Sequence, residues 1–278
     1  MSFSVSIPSL FDPAQTLTCG QAFRWKEVTG EDGIPYWEGV AKGHLLRLRE
    51  DSKNGQKNLL FFCSQQEFDE LWADYFDLEQ DYEEKRIFLS SLHPVLSQAA
   101  AYAPGIRILR QEPWEALCSF IISQNNNIPR IQGIIDRLCS LLGDPIPGSA
   151  HYTFPSPERL AACTVEDLAP LRAGFRAKYL VDAARKVVDQ KVDLQKTARS
   201  PAEFGRNELQ KIMGVGPKVA ECTLLYGFHK TECFPMDVWM KRAMQVLLPE
   251  MTPADFGENA GLAQQFLFHY SRMHPEFF

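Results

Sequence analysis

A chain of 278 residues with 45% hydrophobic and 23% charged residues has the make-up of a globular protein of two domains or one large one, and no apolar run approaches the ~20 residues of a membrane-spanning helix. The formal net charge of −6 does not advertise a nucleic-acid binder, although a local basic surface is enough to make one. The seven cysteines form no CxxC pair and no metal-like grouping, a usage that fits reduced thiols in a reducing compartment.

The N-terminus, MSFSVSIPSLFDPAQ, lacks a basic segment and a long apolar segment, so no secretory signal is expected. Short aromatic or β-friendly runs follow at Phe23-Arg24-Trp25, Tyr36 to Val40, His44 to Arg49 and Leu59 to Cys63. Turn residues at Thr29 to Gly33 and Asp51 to Gly55 separate them, which predicts an antiparallel sheet. An acidic run, Glu67 to Glu84, comes next, and from about Gln66 onward the spacing is helical. Trp114, Leu117, Phe120 and Ile121 share one helix face, and Ile131, Ile134, Ile135, Leu138, Leu141 and Leu142 another. Ser156-Pro157, Ser200-Pro201 and Thr252-Pro253 read as helix starts. Glu203 and Asp255 stand at capping-box spacing, and Thr164 with Asp167 repeats it. The expected class is α+β, with an N-terminal antiparallel sheet domain over residues 1–100 and a mostly helical body over 101–278. Basic residues gather between Arg172 and Lys186; a solvated helix face explains both charge runs equally well.

Between the two apolar helices lies Ser123-Gln124-Asn125-Asn126-Asn127-Ile128-Pro129-Arg130. Three asparagines ahead of a residue that precedes proline are poor helix interior, so the segment is either a capped polar connection or a surface with a task. The stretch Leu209 to Cys222, LQKIMGVGPKVAEC, reads as helix, tight turn, helix, with the hairpin at about 205–228. Gly214 and Gly216 permit the turn, and Pro217 suits the first helical position. The free amides of that helix start, including Val219, make a phosphate site that grips a DNA backbone without reading sequence, unless the hairpin is only a packed bend. Lys218 at the second position is disfavoured by the helix dipole, and the same repulsion favours a neutral, nucleophilic amine. Asp237 precedes the apolar-periodic helix Val238 to Leu248 as an N-cap, and a carboxylate held there can also stabilise positive charge on a sugar.

With Cys19-Gly20-Gln21-Ala22-Phe23-Arg24-Trp25 and Ala263-Gln264-Gln265-Phe266-Leu267-Phe268, five separated motifs fall in the order of the helix-hairpin-helix DNA glycosylases with a Gly/Pro-rich loop and a following aspartate. More narrowly, the chain resembles a bacterial-type 8-oxoguanine DNA glycosylase/AP lyase over most of its length. The resemblance implies that Lys218 is the nucleophile, forming a Schiff base with C1′ before β-elimination, and that Asp237 is the essential carboxylate. It implies that the Gly20 carbonyl accepts the N7–H of 8-oxoguanine, that Cys222 and Phe268 pack on the two faces of the flipped base, and that Gln264 bonds its Watson–Crick edge. It further implies that Asn125, Arg130 and Arg176 read the orphaned cytosine and that Phe175 is a wedge. Trp239 departs from the eukaryotic form, which carries a histidine near a phosphate, and Phe175 replaces its tyrosine. The expected partner is double-stranded DNA containing oxidised guanine, met by a monomer, without a cofactor, a metal or a membrane. The expected location is the cytoplasm, at a bacterial nucleoid, or the nucleus of a eukaryotic host. The competing readings are a non-catalytic hairpin DNA-binding module, a glycosylase for another damaged base, and a Schiff-base enzyme of small metabolites.

Overall fold

The computed structural model describes residues 3–5, 11–53 and 56–277. Strands β1 (Phe3–Val5), β2 (Trp25–Thr29), β3 (Pro35–Ala41), β4 (His44–Lys53) and β5 (Gln56–Phe61) form one antiparallel sheet in the order β1-β5-β4-β3-β2. Trp25 pairs with Gly39, where a Cβ would lie 2.2 Å from the indole. The missing side chain lets Trp25 lie across the sheet and meet Trp72, Tyr75 and Phe76, the aromatic core of this part. The expected sheet is present with two changes. Phe23 and Arg24 precede the strand, because Phe23 packs on Phe120 at 5.7 Å and Arg24 pairs with Glu115 at 3.4 Å. Of the second turn, Asp51 to Lys53 continue β4, and Asn54 and Gly55 lie outside the described residues. A helix at Pro13–Thr18 was not expected from the sequence, although Asp12-Pro13 carries the same cap-and-proline signature used elsewhere, and Asp12 accepts from the Gln15 N–H at 3.0 Å.

The rest is helical, as the spacing predicts. Tyr82–Leu92 and Pro94–Tyr102 share a core with Val238–Leu247 and Ala260–Met273. Pro113–Ser123, Ile128–Leu142, Arg176–Val188 and Pro217–Gly227 build a second, central core. Ser156 caps the helix Pro157–Ala161. Ser200 does not open a helix: it closes Leu194–Arg199, and Ala202–Leu209 begins after Pro201 without a side-chain cap. The pair Thr164 and Asp167 closes a turn rather than an α-helix, with Asp167 accepting from the Thr164 N–H at 2.8 Å. All seven cysteines are free and buried.

A buried, irregular segment runs between these cores. Ile106, Arg107, Ile108 and Leu109 are at most 1% exposed. Their amides find partners one by one: Arg107 N–H on Thr16 Oγ1 at 3.2 Å, Ile108 N–H on Tyr82 Oη at 2.9 Å, and Leu109 N–H on Gln21 Oε1 at 2.9 Å. Arg110 N–H meets the Tyr75 carbonyl at 2.9 Å, and Gln111 N–H the Tyr226 carbonyl at 3.1 Å. Beside this segment Asp77 is buried, in left-handed backbone with φ +52°. Its carboxylate accepts from Tyr82 Oη at 2.9 Å and Arg110 Nε at 2.7 Å, with His229 Nε2 at 3.4 Å. Burial raises the pKa of Asp77, but His229 and Arg110 outweigh it and hold the carboxyl below its ordinary 3.8.

A depressed folded pKa contributes stability above the unfolded value, which is lost as pH falls through the folded one. Asp77→Asn is therefore expected to lose about 3 kcal/mol at neutral pH. It should also show a shallower stability loss than wild type below about pH 4, near the ordinary Asp value. Urea melts of both proteins across the acid limb check this; parallel curves would remove the assignment.

Candidate active site

Three helix starts and the loop after Pro13–Thr18 meet around a cavity of about 620 Å³. Its wall includes Gly20, Phe120, Asn127, Lys218, Asp237 and Phe268. The first helix start is that of the hairpin. Ala202–Leu209 and Pro217–Gly227 are joined by a turn in which Gly214 has φ +77°. A Cβ there would stand 2.4 Å from the Tyr179 ring, so both backbone and space require glycine. Gly216 is the N-cap and offers no side chain, which leaves the Lys218 and Val219 amides without an intrahelical acceptor. Lys218 is half-buried, with Nζ 5.4 Å from the centre of the Phe120 ring. One turn on, Cys222 is buried; burial pushes its thiol pKa up and the nearby Lys218 only partly offsets this.

Asp237 starts the second helix. Its Oδ1 accepts from the Met240 N–H at 2.7 Å, which fixes the carboxylate while it still lines the cavity. Asn127 starts the third, accepting from the Arg130 N–H at 3.0 Å. Asn126 Nδ2 bonds the Ile122 carbonyl at 3.1 Å. Asn125 is exposed with φ +46°, a conformation that Asn tolerates better than most residues.

Gly20 lines the cavity with φ +85°, and a Cβ there would meet nothing within 4 Å. Its glycine is thus a matter of backbone conformation. Gln21, fully buried, holds this loop. Its Nε2 donates to the Arg107 carbonyl at 2.7 Å and the Thr16 carbonyl at 3.0 Å, and its own carbonyl accepts from Gln111 Nε2 at 2.7 Å. The sequence quotes Gln21 within a motif but assigns it no role, since nothing local distinguishes a buried amide from an exposed one. Phe23, Phe120, His269 and Arg272 also line the cavity without having been singled out. Burial lowers the His269 pKa.

Five expected residues lie outside the cavity wall. Cys222 and Gln264 are buried and do not belong to the cavity wall. The Gln264 carbonyl accepts from Gln265 Nε2 at 2.9 Å, and Tyr226 Oη lies at 3.4 Å. Arg130 and Phe175 are exposed, Phe175 by 48%. Arg176, expected from the resemblance to read the orphaned cytosine, is 2% exposed. Its guanidinium donates to the Gln124 carbonyl (Nε, 3.0 Å), the Asn125 carbonyl (2.9 Å) and the Ala173 carbonyl (3.2 Å), and it lies 4.4 Å from the Phe175 ring centre. The carbonyls left over at the helix end and in the strained loop are what draw it inward.

The chain matches two protein families in succession. Residues 4–117 match the 8-oxoguanine DNA glycosylase, N-terminal domain, and residues 118–252 match the HhH-GPD superfamily base excision DNA repair protein. It is 36% identical to an N-glycosylase/DNA lyase of Saccharomyces cerevisiae over 255 residues, which is 82% of this chain and 66% of the yeast protein. Among solved structures it resembles MBOgg1 in complex with a low-affinity DNA ligand (40% identity, 99% of this chain and 96% of that one, TM-score 0.87). It also resembles Clostridium acetobutylicum 8-oxoguanine glycosylase/lyase in complex with double-stranded DNA containing cytosine opposite 8-oxoG (35% identity, 95% and 93%, TM-score 0.85).

The bonds of Arg176 predict a measurable rigidity. Arg176→Ala leaves the Gln124 and Asn125 carbonyls without this donor, at about 1–3 kcal/mol each if they stay dry. Amide hydrogen exchange over residues 124–130 is expected to speed up by about tenfold or more, the effect of about 1.4 kcal/mol. Exchange over the hairpin turn should be unchanged; equal exchange in both proteins over the asparagine loop would refute the clamp.

Proposed function

The chain belongs to the 8-oxoguanine DNA glycosylases of the HhH-GPD superfamily and is a DNA glycosylase with lyase activity, and on that premise we propose that Lys218 and Asp237 carry out both reactions on a nucleotide flipped into the one cavity. The observation that carries this reading is that the two side chains, from separate helix starts, line the same cavity as Gly20 and Phe268. Positive charge grows at C1′ as the bond to N9 lengthens, and the Asp237 carboxylate stabilises it. The base leaves with the bonding electron pair and takes up a proton. The neutral Lys218 amine attacks C1′ and loses a proton; the sugar ring then opens to give the Schiff base. Loss of a C2′ proton expels the 3′ phosphate by β-elimination, and water hydrolyses the imine to free Lys218.

The Gly20 carbonyl is the discriminating acceptor. 8-oxoguanine offers it an N7–H, whereas guanine sets a lone pair against it and leaves a buried acceptor unpaired. Phe268 covers one face of the base and Cys222, beneath Lys218, the other. Gln264 reads the Watson–Crick edge after turning from Tyr226 and Gln265. The amides near Gly214, Gly216 and Val219 hold the backbone. Asn125 and Arg130 meet the orphaned cytosine, Phe175 wedges beside it, and Arg176 first acts through the loop it holds. The protein works as a monomer on duplex DNA.

Borohydride trapping on a duplex with 8-oxoguanine opposite cytosine is expected to give a covalent adduct with wild type and none with Lys218→Gln. An adduct in the variant would show that another amine is the nucleophile. Asp237→Asn retains a good helix cap, so it should fold normally while losing about 100-fold or more in excision rate; an unimpaired rate would leave the carboxylate with capping alone. Excision opposite cytosine should outpace excision opposite adenine, and equal rates would remove the roles given to Asn125 and Arg130.

A further inference from the structure

The last helix, Ala260–Met273, brings Arg272 to the wall of the cavity that also holds Lys218 and Asp237. Arg272 is exposed. Its guanidinium carbon lies 5.6 Å from the centre of the Phe268 ring and 6.0 Å from that of Trp239. Among the described residues no carboxylate forms an ion pair with it. Trp239 is itself fixed, with its indole N–H donating to Ser271 Oγ at 2.9 Å. That donor is spent inside the protein, so the indole serves as a platform.

We propose that Arg272 binds a backbone phosphate flanking the flipped nucleotide and so holds the sugar against Lys218. A nucleotide whose C1′ reaches Lys218 carries a phosphate on each side, and the 5′ and 3′ segments of its strand must both leave through the cavity mouth. Three cationic side-chain types line that cavity. Lys218 has to be neutral when it attacks, and half-burial keeps His269 toward its neutral form. Arg272 is the cation left. Its planar fork suits a phosphate bidentately, and the two rings hold it while leaving its donors unspent. In a chain of net charge −6, one such local cation weighs more in the encounter with a polyanion than it would on a basic surface.

The test rests on the duplex-binding reading and separates from it. Binding of a duplex with a tetrahydrofuran abasic analogue opposite cytosine is measured by fluorescence anisotropy between about 50 and 200 mM salt. Wild type, Arg272→Gln and Arg272→Lys are compared. The slope of log affinity against log salt should be smaller by about 0.9 in Arg272→Gln, so that it loses about 3.5-fold less affinity across the range. Arg272→Lys should keep the wild-type slope at lower affinity, since it retains the charge and loses the stacked fork. If Arg272→Gln keeps the wild-type slope, the assignment is overturned while the DNA reading stands. A slope lost equally in Arg272→Lys would point to ring packing and overturns it as well. If wild type shows no salt-dependent binding of the duplex, both fall together.

Discussion

The buried segment Arg107 to Gln111 sets the constraint on which the rest of this molecule depends. It belongs to no helix or sheet, yet Arg107, Ile108 and Leu109 are buried and Arg110 and Gln111 half-buried. Five consecutive amides therefore take acceptors from separate elements: Thr16 and Gln21 near the N-terminus, Tyr75 beside the sheet, Tyr82 on the first long helix, and Tyr226 at the end of the hairpin helix. Each missing partner would cost about 1–3 kcal/mol. These bonds tie the three cores to one segment. Gln21 belongs to this set and adjoins Gly20, so the loop at the cavity wall is held by the same bonds that join the cores.

The cavity also collects helix starts. Asn127, Lys218 and Asp237 stand at or within two positions of the N-cap of three long helices. Each start directs partial positive charge and unpaired amides toward one place. An acidic protein can in this way face a polyanion without a basic surface, which explains why the charge tally alone was a poor guide to its substrate.

Legibility in the sequence followed the range of the forces involved. The helix starts at Pro157 and Pro217 were readable because caps and prolines act within one turn. So were Lys218 and Asp237, whose positions are set by local helix geometry. The sheet was readable as a pattern, but β2 begins at Trp25 because Phe23 and Arg24 are captured by Phe120 and Glu115, about a hundred residues on. Ser200 failed as a cap because the preceding helix had already claimed it. Arg176 looked like a surface reader; only the fold reveals that the asparagine loop turns its carbonyls inward toward it. Gln21 and Arg272 carry no local signature at all, and their neighbours are set by tertiary structure.

The burial of the cysteines has a consequence for chemistry in an oxidising cell. All seven thiols are buried, and burial raises the pKa of every one: Cys63 to about 11, Cys19 and Cys139 to about 12, and Cys118, Cys163, Cys222 and Cys233 upward as well. Peroxides attack the thiolate, and their next products, sulfenic and sulfinic acids, would be polar groups in packed interiors. Peroxides therefore find little thiolate at these positions, including Cys222, one turn from Lys218. Slow oxidation of the thiols is thus a consequence of how the chain packs.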